Sequence, residues 1–233
     1  LYTIDGLTPE AGDRLANPDL AATLERLAYN GIREFREGAT AHMLAKAMVD
    51  EGGWITLNDL RDYKSQTSAP LSASWKQYEV YTADSPISGG ASVLLALKAL
   101  ETINPSKNAL SAERFDLLGR TLKSVYPRVY RSFGDDESRQ EERVNVFSRQ
   151  SITGLRKAIE QPLEANVSSY APAESADNIS GQRATTHFVV VDLEGNVACV
   201  TQSLSSRFGS SVIAPGTGFL LNNTMKNFAL NTK

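Results

Sequence analysis

The sequence contains little cysteine or histidine and has no excess of positive charge. These shortages limit the functions that it can have. It has 233 residues with one cysteine, two histidines and a formal net charge of −3. One cysteine cannot form an internal disulfide, and the acidic balance gives no basic surface, so nucleic acid is not an expected partner. No apolar run approaches the roughly 20 residues that cross a bilayer, so no membrane span is expected.

The sequence also lacks the motifs of common metal and cofactor sites. Residues 85–90 form a glycine-containing loop before a predicted helix, but the loop has neither the lysine of a phosphate-binding loop nor dinucleotide glycine spacing. Residues 135–137 are acidic without the spacing of a calcium loop, which favours a solvated turn. Cys199 lies within an apolar strand, where we expect an inert buried thiol rather than a nucleophile. We therefore expect no cofactor and no metal.

Hydrophobic periodicity predicts a chain of helices interrupted by short strands. Asn17 is typical of a helix start, and Gly38 is the expected end of that first helix. Residues 56–59 have the pattern of a capping pair that opens a short helix. Further helices are predicted over residues 41–51, 91–100, 115–133 and 151–160, and strands over 70–82 and 219–221. Pro127 is expected to kink or split the helix that contains it.

Two threonines, Thr185 and Thr186, stand directly before a strongly apolar strand. A turn at residues 193–196 separates this strand from a second one over residues 197–203. Apolar residues on both faces of the first strand predict burial on both sides, inside a layered structure. Residues 162–184, rich in Ala, Ser, Pro and Asn, are the predicted linker before it. Taken alone, this pattern also fits an ordinary β-hairpin whose threonines have no chemical role.

Several separate blocks occur in the order typical of one enzyme family. They are Leu-Ala-Asn-Pro-Asp-Leu-Ala-Ala-Thr-Leu at 15–24, Glu-Gly-Gly-Trp-Ile-Thr-Leu-Asn-Asp-Leu at 51–60, Ser-Gly-Gly at 88–90, Thr-Thr-His-Phe at 185–188, Phe-Gly at 208–209 and Leu-Leu-Asn-Asn-Thr-Met at 220–225. Together they resemble the γ-glutamyltransferases (γ-glutamyl transpeptidases), which are N-terminal nucleophile hydrolases. Residues 104–180 resemble the family only loosely.

The resemblance implies an α+β fold, in which this chain forms part of the four-layer αββα sandwich of N-terminal nucleophile hydrolases. The chain then corresponds to an internal piece of a longer precursor. Residues 1–184 would be the end of the large-subunit region, with the linker at 162–184, and residues 185–233 the start of the small-subunit region. The implied partners are a small-molecule amide or γ-glutamyl substrate and the remaining segments of the same precursor. Relatives are often exported to the periplasm, but the sequence leaves the compartment open.

The resemblance makes Thr185 the nucleophile and the Ala184–Thr185 bond the site of autoprocessing. A threonine hydroxyl needs a base at neutral pH, and a processed N-terminal threonine supplies its own α-amino group, whose pKa is about 8. The enzyme would cleave γ-glutamyl amides such as glutathione through an acyl-enzyme. Thr186 is expected to support the nucleophile. It is also the alternative nucleophile, because chemistry alone does not decide between it and Thr185. His187 is interpreted as positional, and His42 as a packing or surface residue.

Four further positions carry over from the family by matching. Ser203, eighteen residues after Thr185, matches a threonine whose hydroxyl supports the nucleophile. Ser205 stands where the family has a substrate-binding asparagine, and Thr224 and Asn227 stand where Gln or Glu and then Asp hold the glutamyl α-ammonium. Asn in place of Asp removes a charge-assisted hydrogen bond of ~1.5–3 kcal/mol, about ten- to a hundredfold in binding. The alternatives are therefore a related threonine amidohydrolase or acylase on a non-glutamyl amide, and a catalytically inactive fragment.

Overall fold

A computed structural model describes residues 2–4, 6–103, 108–134, 137–161 and 185–227. These residues combine helices with two separate antiparallel strand pairs, which confirms the predicted α+β class. The chain divides into two compact units, one made of Leu1–Ser65 with Pro172–Lys233 and the other of Gln66–Ala171. The predicted linker at 162–184 lies outside the described residues.

The first unit begins with four helices, α1 (Pro18–Asn30), α2 (Arg33–Arg36), α3 (Ala39–Glu51) and α4 (Leu57–Asp62). Asn17 caps α1 as predicted, because its side-chain oxygen accepts a hydrogen bond of 3.0 Å from the Leu20 amide. The prediction that this helix continues to Gly38 is wrong. Gly31 ends it, with a φ of 64° that favours glycine and an N–H that donates to the Leu27 carbonyl.

A small apolar core joins these helices to the last described segment of the same unit. Buried Leu44 and Ala47 of α3 pack with buried Ala214, and partly buried neighbours surround them: Phe35, Leu60, Phe219 and Leu221. The strand predicted at 219–221 is wrong, because the structure has an isolated bridge there between Ile213 and Leu220. The segment therefore packs against α3 and also makes backbone hydrogen bonds to residues 210–212, without forming a regular strand.

The second unit contains the hairpin of β1 (Leu71–Trp75) and β2 (Tyr78–Thr82) and the helices α5 (Ser88–Leu100), α6 (Ala112–Ser132), α7 (Gln140–Val146) and α8 (Arg149–Glu160). Its core is built mainly from α5, α6 and α8: Ala91, Leu95, Ala99, Val125, Val129, Phe133, Val146, Leu155 and Ile159. Helix α6 continues through Pro127, so of the two predicted outcomes, a kink or a split, the split does not occur. Buried Val125 and Val129 lie on either side of the proline, and their packing holds both halves of the helix against the core.

The strands after residue 184 form one antiparallel hairpin in the first unit. It consists of β3 (Thr185–Val191) and β4 (Val197–Ser203). Val189 and Val190, on opposite faces of β3, are 52% and 55% exposed. The prediction that β3 is buried on both faces is therefore wrong for the described residues, and Cys199 on β4 is exposed rather than buried. A hairpin is a single layer, and burying both of its apolar faces needs further layers that the described residues do not place there.

Candidate active site

The hydroxyls of Thr185 and Ser203 meet at the open end of the β3–β4 hairpin. The two residues lie directly opposite each other in the strand ladder. Thr185 Oγ1 donates a hydrogen bond of 2.9 Å to Ser203 Oγ. Both residues are exposed. The structure thus brings together the predicted nucleophile and its predicted supporting hydroxyl.

Ser203 is itself held by the backbone that follows it. Its Oγ accepts a second hydrogen bond of 2.9 Å from the Ser205 amide. This contact depends on the conformation of Ser205, whose φ of 74° lies in the left-handed region that residues with a Cβ seldom adopt. The predicted substrate-binding residue Ser205 therefore lies next to the pair of hydroxyls and contacts Ser203 through its main chain.

Thr186 is not part of this arrangement. Successive side chains of a strand point to opposite faces, so Thr186 faces away from the hydroxyl pair. Its partner across the ladder is Gln202. The geometry favours Thr185 over Thr186 as the residue that Ser203 supports.

The two histidines take the positions expected from the sequence. His187 lies on the same face of β3 as Thr185, and its Nδ1 is 2.7 Å from the hydroxyl of Thr201, the residue opposite it. His42 lies on the exposed side of α3. His187 therefore contacts the opposite strand through Thr201, two positions along β3 from Thr185.

A second segment, residues 222–227, reaches the same place through Asn223. The Asn223 amide donates to the Leu204 carbonyl at 3.2 Å. Its side chain bonds twice to Ser206: Oδ1 accepts from the Ser206 amide at 3.2 Å, and Nδ2 donates to Ser206 Oγ at 3.0 Å. Asn223 belongs to a motif of the family resemblance that assigns it no role, and the paired asparagines of that motif are its signal in the sequence.

The other two predicted substrate-binding positions lie within the four residues after Asn223. Thr224 begins a short 3₁₀-helix, Thr224–Asn227, that ends at the predicted position Asn227. The Thr224 amide donates to Asn222 Oδ1 at 2.9 Å, which caps this turn. Asn223 therefore connects the segment that carries Ser205 with the segment that carries Thr224 and Asn227.

A carboxyl group with a lowered pKa lies on the β3–β4 hairpin, at the end away from Thr185. Asp192 lies in the turn at the opposite end, where hydrogen bonds from the Asn196 side chain and backbone lower the pKa of its carboxyl. Within the described ranges, no three His, Cys, Asp or Glu side chains gather into a group able to hold a metal ion, and no helix there is long and apolar enough to cross a membrane.

A cavity of about 650 Å³ lies in the second unit, away in sequence from all of these residues. Its lining includes Asp84, Ser85 and Pro86 together with Arg143 and Phe147. None of the residues predicted for catalysis or substrate binding lines it. The candidate site is therefore identified by its hydroxyl geometry and not by the size of a cavity.

Comparisons with known proteins find relatives over nearly the whole chain. The glutathione hydrolase proenzyme of Escherichia coli (strain K12) is 33% identical over 236 residues, covering 98% of this chain and 39% of the relative. The glutathione hydrolase proenzyme of Pseudomonas aeruginosa (strain PAO1) is 34% identical over 226 residues, covering 94% of this chain and 39% of the relative. The chain therefore spans about two fifths of the length of these curated relatives.

A solved structure and a family model complete the assignment. The crystal structure of cephalosporin acylase from Bacillus halodurans matches with a TM-score of 0.76 at 21% identity, over 98% of this chain and 40% of that one. This likeness supports the predicted fold, of the N-terminal nucleophile hydrolase type. The model of the gamma-glutamyltranspeptidase family matches residues 1–233, the whole sequence. The chain belongs to the gamma-glutamyltranspeptidase family.

Proposed function

We propose that this chain is part of a γ-glutamyltransferase-like hydrolase or transferase that cleaves its own Ala184–Thr185 bond. Residues 1–184 would then belong to one product and residues 185–233 to the other. Thr185 would be the nucleophile of both the self-cleavage and the later turnover of substrate. The relatives named as proenzymes support a processed precursor.

One observation carries this proposal: the hydroxyl of Thr185 donates to Ser203 Oγ at 2.9 Å, at the first position after the proposed cleavage bond. A threonine hydroxyl is a weak nucleophile, and a fixed hydrogen-bond acceptor orients it. Ser203 is in turn fixed by the Ser205 amide. Such an arrangement is expected of a reactive hydroxyl and is not needed for an ordinary strand end.

The atoms and protons of the proposed self-cleavage are all supplied by the protein and water. Thr185 Oγ bonds to the Ala184 carbonyl carbon, the Ala184–Thr185 C–N bond breaks, and the hydroxyl proton passes to the Thr185 nitrogen. Water then hydrolyses the resulting ester to give a carboxylate at Ala184 and a free hydroxyl and α-amine at Thr185. This amine has a pKa of about 8 and serves as the base in later cycles. In those cycles Thr185 takes the acyl group of the substrate, and water or an acceptor amine releases it.

The test is self-cleavage of the full-length protein, followed by intact mass and N-terminal sequencing. Wild-type protein should yield a new N-terminus at Thr185, and Thr185→Ala should remain intact and show no amide turnover. Thr186→Ala is the matched control, because it removes a neighbouring hydroxyl from the opposite face of β3, and it should mature. A Thr185→Ala variant that matures and turns over substrate at wild-type rates would disprove the proposal.

We propose γ-glutamyl amides such as glutathione as the substrate class, with recognition weaker than the family pattern implies. Asn227 stands where the resemblance places an aspartate that faces the substrate ammonium. Ser205 and Thr224 also depart from that pattern. Asn227→Asp should therefore lower the KM for a γ-glutamyl anilide about ten- to a hundredfold, since a charge-assisted hydrogen bond is worth ~1.5–3 kcal/mol.

The same departures support a second candidate, a threonine amidohydrolase or acylase that acts on a non-glutamyl amide. Turnover of a γ-glutamyl anilide by the full-length protein at rates comparable with other amides supports the first candidate. No turnover of that anilide, together with cleavage of other amides, supports the second. Intact mass separates both from an inactive chain, because the inactive chain would not be cut before Thr185.

A further inference from the structure

The support for Thr185 ends in a segment that has no regular secondary structure of its own. Strand β4 stops at Ser203, and residues 204–206 follow it as a bend. Ser205 must hold its φ of 74° for its amide to point at Ser203 Oγ. Because this conformation is disfavoured for a residue with a Cβ, it persists only where surrounding contacts impose it.

Asn223 supplies those contacts on both sides of Ser205. Its amide holds the Leu204 carbonyl at 3.2 Å, before Ser205. Its side chain holds both the amide and the hydroxyl of Ser206, after Ser205, at 3.2 and 3.0 Å. An asparagine side chain offers an acceptor and a donor in one plane, which matches the amide and hydroxyl that Ser206 presents.

Asn223 is itself fixed from the other direction. The Leu221 amide donates to the Val212 carbonyl at 2.9 Å, and the Ser210 amide donates to the Leu221 carbonyl at 2.9 Å. Leu221 also packs against the core of the first unit. Gly209 adopts a φ of 56°, and a Cβ there would overlap the Leu221 carbonyl, so the two segments lie in close backbone contact. Asn223 therefore projects from an anchored segment.

We propose that Asn223 is a positioning residue for the nucleophile, acting through residues 204–206 and Ser203. It fixes the bend, the bend directs the Ser205 amide to Ser203 Oγ, and Ser203 orients the Thr185 hydroxyl. The proposal rests on Thr185 being the nucleophile.

The test uses the full-length protein and compares Asn223→Ala with wild type. Self-cleavage should slow by up to about 30-fold, no more than when the Ser203 hydroxyl itself is removed, and kcat of the matured protein should fall by a similar factor while KM changes little, because small misplacement of reacting groups costs rate. Asn223→Asp keeps the acceptor and the backbone contact but loses the donor, so it should fall between the two. It also keeps the test valid if the alanine variant does not fold.

Two comparisons separate positioning from a general structural effect. Asn222→Ala is the matched control. It removes the side-chain oxygen that accepts from the Thr224 amide and leaves the bend at 204–206 intact. Self-cleavage should therefore keep its wild-type rate. On a Ser203→Ala background, Asn223→Ala should cause no further loss of rate, because the route to Thr185 is already broken.

Additive losses in the double variant, or a folded Asn223→Ala protein that cleaves itself within about twofold of wild type, would overturn the positioning role. If Thr185→Ala also matures, the proposed function itself fails. If Thr185→Ala does not mature but Asn223→Ala does so normally, only the role of Asn223 fails.

Discussion

Replacing Ser203 by alanine tests the hydroxyl pair most directly. The change removes the acceptor of two hydrogen bonds, one from Thr185 Oγ1 and one from the Ser205 amide, both 2.9 Å long. A protein hydrogen bond is worth about 0.5–1.5 kcal/mol net, so the pair is worth roughly 1–3 kcal/mol. Since the residues are exposed, water replaces part of this, and about 1–2 kcal/mol remains. We therefore expect self-cleavage to slow by about 5- to 30-fold.

The assay follows the intact mass of freshly purified full-length precursor over time. Ser203→Thr is the matched control, because it keeps the hydroxyl and restores the residue that the family resemblance places there, and it should mature at close to the wild-type rate. Ser203→Val matches threonine in shape without the hydroxyl and should behave like alanine. Wild-type maturation by Ser203→Ala, or an equal loss in Ser203→Thr, would refute the role assigned to this hydroxyl.

Two further predictions concern the packing that supports the site. Gly218→Ala should destabilise the protein by about 1–3 kcal/mol or more in urea unfolding, because Gly218 has a φ of 71° and a Cβ would overlap the backbone of α1 at Leu20. Gly195→Ala, at a φ of 86° with open space around it, should cost less, and equal losses would contradict the close contact. Buried Glu34 accepts from the Thr40 amide at 2.9 Å, which lowers the pKa of its carboxyl below the ordinary 4.5. The unfolded chain then binds more protons, so stability is present above about pH 4.5 and falls as the pH drops through the folded pKa. Glu34→Gln should flatten this part of the dependence of the urea midpoint on pH, and an unchanged acid slope would exclude Glu34 as its source.

Local features of the site could be predicted because they depend on short-range rules. A two-residue period puts Thr185 and Thr186 on opposite faces of β3. Ser203 is assigned by the family resemblance alone, and the strand register places it opposite Thr185. The capping pair at the start of α4 followed in the same way, because the Thr56 and Asp59 side chains each bond the other's amide. In these cases the interacting groups are close in sequence or fixed by strand pairing.

The remaining features depend on contacts that a local pattern does not encode. Asn223 contacts Ser206 across 17 residues, and no periodicity indicates that pairing. The apolar spacing does not indicate a helix end at Gly31, because Phe35 continues that spacing, yet Phe35 belongs to the next helix, α2. The exposure of β3 also depends on tertiary packing. Its apolar residues indicate a strand that tends to be buried, but they do not indicate which element covers it.

The composition of the first unit bears on how cleavage before Thr185 would leave the site intact. Residues from both sides of the Ala184–Thr185 bond build this unit, and contacts join them across long sequence separations. Asn17 Nδ2 donates to the Gly218 carbonyl at 2.6 Å, and Thr23 Oγ1 donates to the Thr217 carbonyl at 2.9 Å.

These bonds, and the apolar contact of Leu44 with Ala214, do not involve the backbone at residue 184. Cleavage of the Ala184–Thr185 peptide bond would free the amine of Thr185, while these hydrogen bonds and the core packing would still hold the segments on either side of the cut. The region that carries Asn223 would therefore remain anchored to α1 and α3. A nucleophile that needs both a free amine and an oriented hydroxyl requires this combination of a cut chain and an uncut fold.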